Sequence, residues 1–78
     1  MSDILERARK VTAEVLKVDP AKISENTRFV EDLGAKSLQS IELIAAMEAE
    51  FEVEFDEDEA MAMKTVKDAI GLIERVMQ

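Results

Sequence analysis

The spacing of the apolar residues constrains the fold of this chain more than any other feature. Near the start, apolar residues recur at steps of four, three, four and three, as on one face of a helix: Ile4, Ala8, Val11, Val15 and Val18. The pattern stops at Asp19-Pro20, because proline disfavours helical geometry at the residue before it. We therefore predict a first helix over residues 3–17.

The rest of the chain predicts three further helices. Apolar residues at helical spacing run from Ser37 to Phe51 and again after Thr65, where the sequence begins like a capping box. Between these segments, Asp56 is a good N-cap for a short helix that stops near Met63. The predicted fold is all-α, a small bundle of three principal helices and one short helix with a long first loop, in a single domain over residues 1–78.

The composition excludes several classes of function. The 78 residues include no histidine and no cysteine, so a histidine base, a thiolate nucleophile and zinc ligands of nitrogen or sulfur are all missing. The formal net charge of −8 disfavours nucleic acid and anionic membranes as partners, and it favours basic protein surfaces. We find neither a signal peptide in MSDILERARK nor an apolar run of membrane-spanning length, and we expect a cytoplasmic, soluble monomer.

The acidity is concentrated in residues 36–64, which hold nine acids and two bases. Apolar residues run through the same stretch, so it is expected to be a folded acidic surface rather than a disordered tail. A calcium loop beginning at Asp56 would need an oxygen ligand where Ala60 stands and a glycine where Met61 stands. We therefore predict no metal site and interpret the acidic run as a solvated helix start, with loose divalent-cation binding to the acidic surface as the alternative.

The second helix is expected to carry two apolar stripes. One stripe comprises Ile44, Met47 and Phe51, with Leu43 and Ala46 beside it, and the other comprises Leu38, Ile41 and Ala45. A chain of 8.7 kDa can bury only one of these stripes against its own core. The stripe containing Leu38, which Gln39, Glu42 and Glu48 flank, is then an exposed face for a partner. An unusually broad core-facing sector is the alternative interpretation.

Ser37 is the candidate for chemistry. It follows an expected turn at Gly34 and opens a predicted helix, where backbone N–H groups and the helix dipole favour a phosphate ester. Its position alone favours an ordinary N-cap. Nucleophilic catalysis is poorly supported, because no histidine could activate the hydroxyl and Lys36 does not share a helix face with it. Any chemistry at Ser37 is expected to be modification by another enzyme.

The residues around Ser37 resemble a known family. The strings FVEDLGAKSL at 29–38, IEL at 41–43 and MEAEF at 47–51 closely resemble the acyl carrier proteins of bacterial type II fatty-acid synthesis. The resemblance covers essentially the whole chain and implies a carrier that is not an enzyme. It implies that a phosphopantetheinyl transferase attaches 4′-phosphopantetheine from coenzyme A to Ser37. The thiol of that arm would carry acyl groups as thioesters between the enzymes of fatty-acid synthesis.

Position-matching to the family also implies two sets of binding residues. The lining of an acyl-chain cavity falls on Phe29, Leu33, Leu43, Met47, Phe55, Ala60, Met63 and Ala69. The partner-recognition surface has Leu38, Ile41 and Ala45 as apolar contacts, with Glu42 and Glu48 as charges offered to basic patches, and it also includes Lys36 and Gln39.

Two of these positions depart from the family pattern. Lys36 stands where the family usually has aspartate immediately before the modified serine, and Gln39 stands where an acidic residue is common. The charge reversal beside Ser37 favours a specialised carrier for a dedicated polyketide or lipid pathway as an alternative to fatty-acid synthesis. An unmodified acidic helical adaptor that binds basic partners through the second helix is the alternative from another class.

Overall fold

The computed structural model describes residues 3–77, and the elements in that range are helical. The four α-helices are α1 (Asp3–Leu16), α2 (Ser37–Phe51), α3 (Glu57–Met61) and α4 (Val66–Met77), and Pro20–Lys22 form one 3₁₀ turn. The predicted all-α architecture of three principal helices and one short helix is confirmed. The first two residues and the last one of the predicted domain lie outside the described range.

Two helices end slightly earlier than the sequence predicted. Lys17 adopts a left-handed backbone with φ of 57°, so α1 ends at Leu16 rather than at residue 17. The helix α3 ends at Met61 rather than near Met63. A left-handed residue, Glu52 with φ of 55°, also closes α2. Since left-handed geometry is uncommon outside glycine, asparagine and aspartate, the helix ends at Lys17 and Glu52 cannot be predicted from residue types.

Side-chain caps define where α3 and α4 begin. Asp56 accepts a hydrogen bond from the N–H of Glu59 at 3.4 Å, as its predicted N-cap role requires. The Thr65 hydroxyl accepts from the N–H of Asp68 at 3.1 Å, and the Asp68 carboxylate accepts from the N–H groups of Lys64 at 3.0 Å and Thr65 at 3.2 Å. The predicted capping box is therefore present. These donors, that of Lys64 foremost, hold the pKa of Asp68 below its ordinary value.

The core lies where α1, α2 and α4 meet. The helices contribute a shared set of buried apolar side chains: Ala8, Val11, Ala13, Leu16, Leu43, Met47, Phe51, Val66, Ala69 and Ile73. The long loop between α1 and α2 adds Ile23, Phe29 and Ala35 to this cluster. The loop is therefore part of the packed core and holds the start of α2 in place.

Backbone hydrogen bonds tie the long loop to the start of α4. The N–H of Phe29 donates to the carbonyl of Lys64 at 3.0 Å, and the N–H of Val66 donates to the carbonyl of Thr27 at 3.0 Å. The N–H of Lys67 donates to the carbonyl of Glu25 at 2.8 Å. Because the loop crosses from α1 to α4 before it enters α2, it brings residues 29–37 close to α3.

Replacing each of the two glycines by alanine should have opposite effects on the free energy of unfolding. Gly34 has φ of 70°, so an alanine there is strained and should lower the free energy of unfolding by about 1 kcal/mol. Gly71 lies inside α4, and a Cβ atom built there meets no heavy atom within 4 Å. Gly71→Ala should therefore raise the free energy of unfolding by roughly 0.5–1 kcal/mol. Urea denaturation of both variants checks the signs, and a destabilised Gly71→Ala would contradict this account of α4.

Candidate functional site

Ser37 is the first residue of α2, and its side chain is exposed. The N-cap of this helix is Lys36, with φ of −93° and ψ of 169°, so the interpretation of Ser37 as an ordinary N-cap is wrong. Among the described residues, no hydrogen-bond partner of the Ser37 hydroxyl is present within 3.5 Å. The hydroxyl is therefore available to a reagent from outside, as modification by another enzyme requires.

Gln39 closes the first turn of α2. Its Oε1 atom accepts a hydrogen bond from the N–H of Lys36 at 3.0 Å, and the side chain is half-buried. The lysine side chain has no acceptor atom, so it cannot cap the helix in the usual way. Gln39, expected from the family pattern to face a partner, thus has an internal contact as well.

A cavity of about 390 Å³ opens beside Ser37, between α2, α3 and the long loop. Its lining is mainly apolar and includes four residues predicted for an acyl-chain cavity, Phe29, Leu43, Ala60 and Met63. The other lining residues are Val30, Glu31, Ser37, Ser40, Ile41, Ile44, Met61 and Lys64. The hydroxyl of Ser37 therefore lies at the edge of an apolar recess.

The other four predicted cavity residues do not line this cavity. Met47 and Ala69 are completely buried in the core, at 0 % exposure each. Leu33 and Phe55 are half-buried and pack against the core cluster. The sequence analysis did not assign Ile44 or Met61 to the cavity, although Ile44 lies seven residues after Ser37 and shares its helix face, which is a signal that could have identified it.

The exposed apolar stripe on α2 is confirmed. Leu38 is 67% exposed and Ile41 is 57% exposed, and Ala45 and Glu42 are exposed as well. Leu43, Met47 and Phe51 on the opposite side are buried, while Ile44 is half-buried. One helix therefore supplies both core and surface apolar contacts, as the two stripes predicted.

Glu48 differs from the other residues of the predicted recognition surface. Its carboxylate accepts a hydrogen bond from the N–H of Phe55 at 2.9 Å, and the side chain is half-buried. This bond holds the segment between α2 and α3, so part of the carboxylate's hydrogen-bonding capacity is already used inside the molecule.

The density of acidic residues rises abruptly along the chain at Glu42. Residues 33–41 contain no acid and one base, Lys36, whereas residues 42–59 contain nine acids and no base. Asp32, just before the acid-free stretch, accepts hydrogen bonds from the N–H of Arg28 at 2.8 Å and its guanidinium at 2.9 and 3.2 Å. The guanidinium holds the pKa of Asp32 below its ordinary value and offsets its charge. The end of α2 that bears Ser37 is therefore much less acidic than residues 42–59.

Residues 3–77 hold neither a metal-binding cluster nor a membrane-spanning helix. No cluster of three or more potential metal-ligating side chains occurs within residues 3–77. None of the helices in that part of the chain is long and apolar enough to cross a membrane.

Comparison with known proteins identifies the family. A family model described as the phosphopantetheine attachment site matches residues 6–73. An acyl carrier protein of Caulobacter vibrioides is 49% identical over 73 residues, which cover 94% of this chain and 94% of that protein. This chain belongs to the acyl carrier proteins. An acyl carrier protein of Phenylobacterium zucineum is 47% identical over 74 residues, covering 95% of this chain and 94% of its own length.

A solved structure supports the same assignment. A candidate acyl carrier protein from Mycobacterium tuberculosis superposes with a TM-score of 0.81 at 30% identity, covering 91% of this chain and 96% of that one. The resemblance and the fold predicted from the sequence are thus confirmed. Acyl carrier proteins carry groups rather than catalyse reactions, and this family is modified with 4′-phosphopantetheine, so the predictions of a non-enzyme and of that cofactor are confirmed as well.

The residues around Ser37 fit this prosthetic group. An attachment residue must offer a hydroxyl that is exposed and free of internal bonds, and Ser37 does so. Residues 33–41 contain no acid and include the cation Lys36, so none of them would place a carboxylate beside a phosphodiester on Ser37. The cavity beside the hydroxyl offers an apolar surface to a chain attached there.

Proposed function

We propose that Ser37 is the phosphopantetheine attachment residue of a single carrier domain over residues 1–78. The observation that carries the proposal is the exposed, unbonded Ser37 hydroxyl at the edge of an apolar cavity. Ser24 is a poorer candidate because its hydroxyl lies 3.3 Å from the Thr27 hydroxyl and accepts from the N–H of Asn26 at 3.3 Å. Ser40 is half-buried.

The attachment chemistry divides between this chain and a transferase. The Ser37 oxygen would bond to the phosphorus of coenzyme A that bears pantetheine, while the pyrophosphate P–O bond breaks and adenosine 3′,5′-bisphosphate leaves. The prosthetic group supplies the thiol that this cysteine-free chain lacks. The chain has no histidine, and we assign the base that takes the Ser37 proton to the phosphopantetheinyl transferase. The role of the chain itself is to present the hydroxyl and keep it accessible.

We further propose that the cavity beside Ser37 shelters part of the acyl cargo. Its apolar lining includes Phe29, Leu43 and Ile44, which would contact a hydrocarbon chain. Met61 and Met63 also line it, and their flexible, polarizable side chains suit cargo of varied shape. Leu33, Met47, Phe55 and Ala69 are assigned to the supporting core instead, because they lie outside this lining.

Enzymes with basic patches are the proposed partners, and they would dock on α2. Leu38, Ile41 and Ala45 offer apolar contact, and Glu42 lies among them as an exposed charge. Opposite charges of this kind raise encounter rates and select partners more than they tighten binding. Fast dissociation suits a carrier that must visit several enzymes in turn.

Fatty-acid synthesis in the cytoplasm is the proposed pathway, and a dedicated polyketide or lipid pathway is the second candidate. The observation that favours the second is the less acidic attachment end, with Lys36 and Gln39 where the family usually has acids. A transferase whose basic patch binds an acidic residue before the serine would face the ammonium of Lys36 instead, and like charges repel.

Incubation with coenzyme A and a broad-specificity phosphopantetheinyl transferase tests the proposed function. Intact-mass spectrometry should show one phosphopantetheine added to each wild-type chain. An unmodified acidic adaptor would instead keep its original mass and bind basic partners without any adduct, and that result would remove the carrier proposal for this chain.

Lys36→Asp should raise kcat/KM for a housekeeping-type transferase of fatty-acid synthesis. Replacing an exposed cation by an anion restores the charge that a basic enzyme surface attracts, and about a tenfold rise is expected at low salt. Lys36→Met, which removes the charge at similar length without adding an acceptor oxygen, should give an intermediate rise. An unchanged or lower kcat/KM in Lys36→Asp would mean that Lys36 does not discriminate between transferases.

A further inference from the structure

We propose that Gln39 is a positioning residue for the modification of Ser37, because its side chain holds the backbone N–H of Lys36, the residue directly before Ser37. The proposal rests on Ser37 being the attachment residue. The first N–H groups of a helix, including that of the N-cap residue, lack partners within the helix.

The N-cap residue of α2 cannot cap the helix with its own side chain. Lys36 has no side-chain acceptor, and its charge lies at the positive end of the helix dipole, where a cation is unfavourable. The bond from the Lys36 N–H to Gln39 Oε1, at 3.0 Å, is the reciprocal half of a capping box. At this helix start, the described residues form one side-chain hydrogen bond, and it is this bond to Gln39.

This bond fixes the backbone just before Ser37. The N–H of Lys36 is held by Gln39, and the carbonyl of Lys36 accepts from the N–H of Ser40 at 2.8 Å. Both backbone polar groups of Lys36 are therefore hydrogen-bonded, and the peptide that leads into Ser37 has little freedom to rotate. The consequence is a fixed backbone position for Ser37.

The amide of Gln39 provides this support without adding charge. A glutamate could accept the same hydrogen bond, but its carboxylate would lie close to the phosphodiester formed on Ser37. With glutamine, residues 33–41 place no carboxylate near that phosphate. Hydrogen bonding and charge can therefore be varied separately at this position.

Three variants test the role of Gln39. Gln39→Met removes the acceptor at similar length, Gln39→Glu keeps an acceptor and adds charge, and Thr65→Ala is a matched control that removes the capping hydroxyl of α4. Each is incubated with coenzyme A and a broad-specificity transferase well below its melting temperature. Hydrogen exchange of the Lys36 amide is followed by NMR in the unmodified chains.

The positioning role predicts a specific pattern. Gln39→Met should exchange the Lys36 amide about tenfold faster and lose about tenfold in kcat with KM within about twofold. Gln39→Glu should keep the slow exchange and most of kcat, and Thr65→Ala should match wild type in both measurements.

The contrary outcomes separate two failures. A wild-type kcat or unchanged Lys36 exchange in Gln39→Met would overturn the role of Gln39, as would an equal loss of kcat in Thr65→Ala. A wild-type chain that gains no adduct would overturn the attachment role of Ser37 and, with it, the role of Gln39.

Discussion

Ser37→Ala should abolish the phosphopantetheine adduct completely while leaving the fold intact. The variant removes the oxygen on which the phosphodiester forms, so no residual modification is expected on any transferase or at any incubation time. Because the Ser37 side chain is exposed and its hydroxyl makes no hydrogen bond with described residues, the free energy of unfolding should change by less than about 0.5 kcal/mol. Intact mass and urea denaturation give the two readings on one sample.

Ser24→Ala is the control for this result. Its hydroxyl lies in the long loop, and its loss removes only the weak turn contacts to Asn26 and Thr27. This variant should take up one phosphopantetheine as the wild type does. An adduct on Ser37→Ala, or its loss from Ser24→Ala, would assign the attachment to a different residue.

Met47→Ala should give the largest loss of stability, about 2–5 kcal/mol in the free energy of unfolding. Met47 is 0 % exposed and packs in the cluster formed by α1, α2 and α4, so alanine leaves a cavity that the neighbours only partly fill. A domain of this size has a free energy of unfolding of only roughly 5 kcal/mol, so little stability should remain if the loss reaches the upper end of that range. Urea denaturation followed by circular dichroism measures the loss.

Met61→Ala is the matched control, since it removes the same side chain from a surface position. Met61 is 67% exposed on α3, and its truncation should cost less than about 0.5 kcal/mol. Equal losses in the two variants would contradict the assignment of Met47 to the core. A small loss in Met47→Ala would instead support the original expectation that it lines an adaptable cavity.

The helices could be predicted because their apolar spacing is regular and the bundle needs little else. The row from Ile4 to Val15 lies in α1, although its last predicted member, Val18, follows the end of that helix, and the capping box at Thr65 begins α4. The ends were less predictable, because Lys17 and Glu52 close their helices with left-handed backbones that their residue types do not favour.

The site could be predicted only in part. Ser37 and the exposed stripe containing Leu38 depend on local pattern, and the structure brings Ser37 to the surface beside a cavity. The lining of that cavity depends on how the long loop crosses to α4, which no local spacing encodes. The inward contact of Gln39 and the Phe55 bond of Glu48 likewise depend on backbone positions that only the folded chain provides.

Fragmentation mass spectrometry of the modified wild-type chain tests the central claim most directly, because it reads which residue carries the arm. After incubation with coenzyme A and a broad-specificity transferase, we expect one phosphopantetheine per chain, borne by the fragment ions that contain Ser37. An arm located on Ser40, Ser24 or any other residue, or a chain that remains unmodified, would contradict the assignment of Ser37 as the attachment residue.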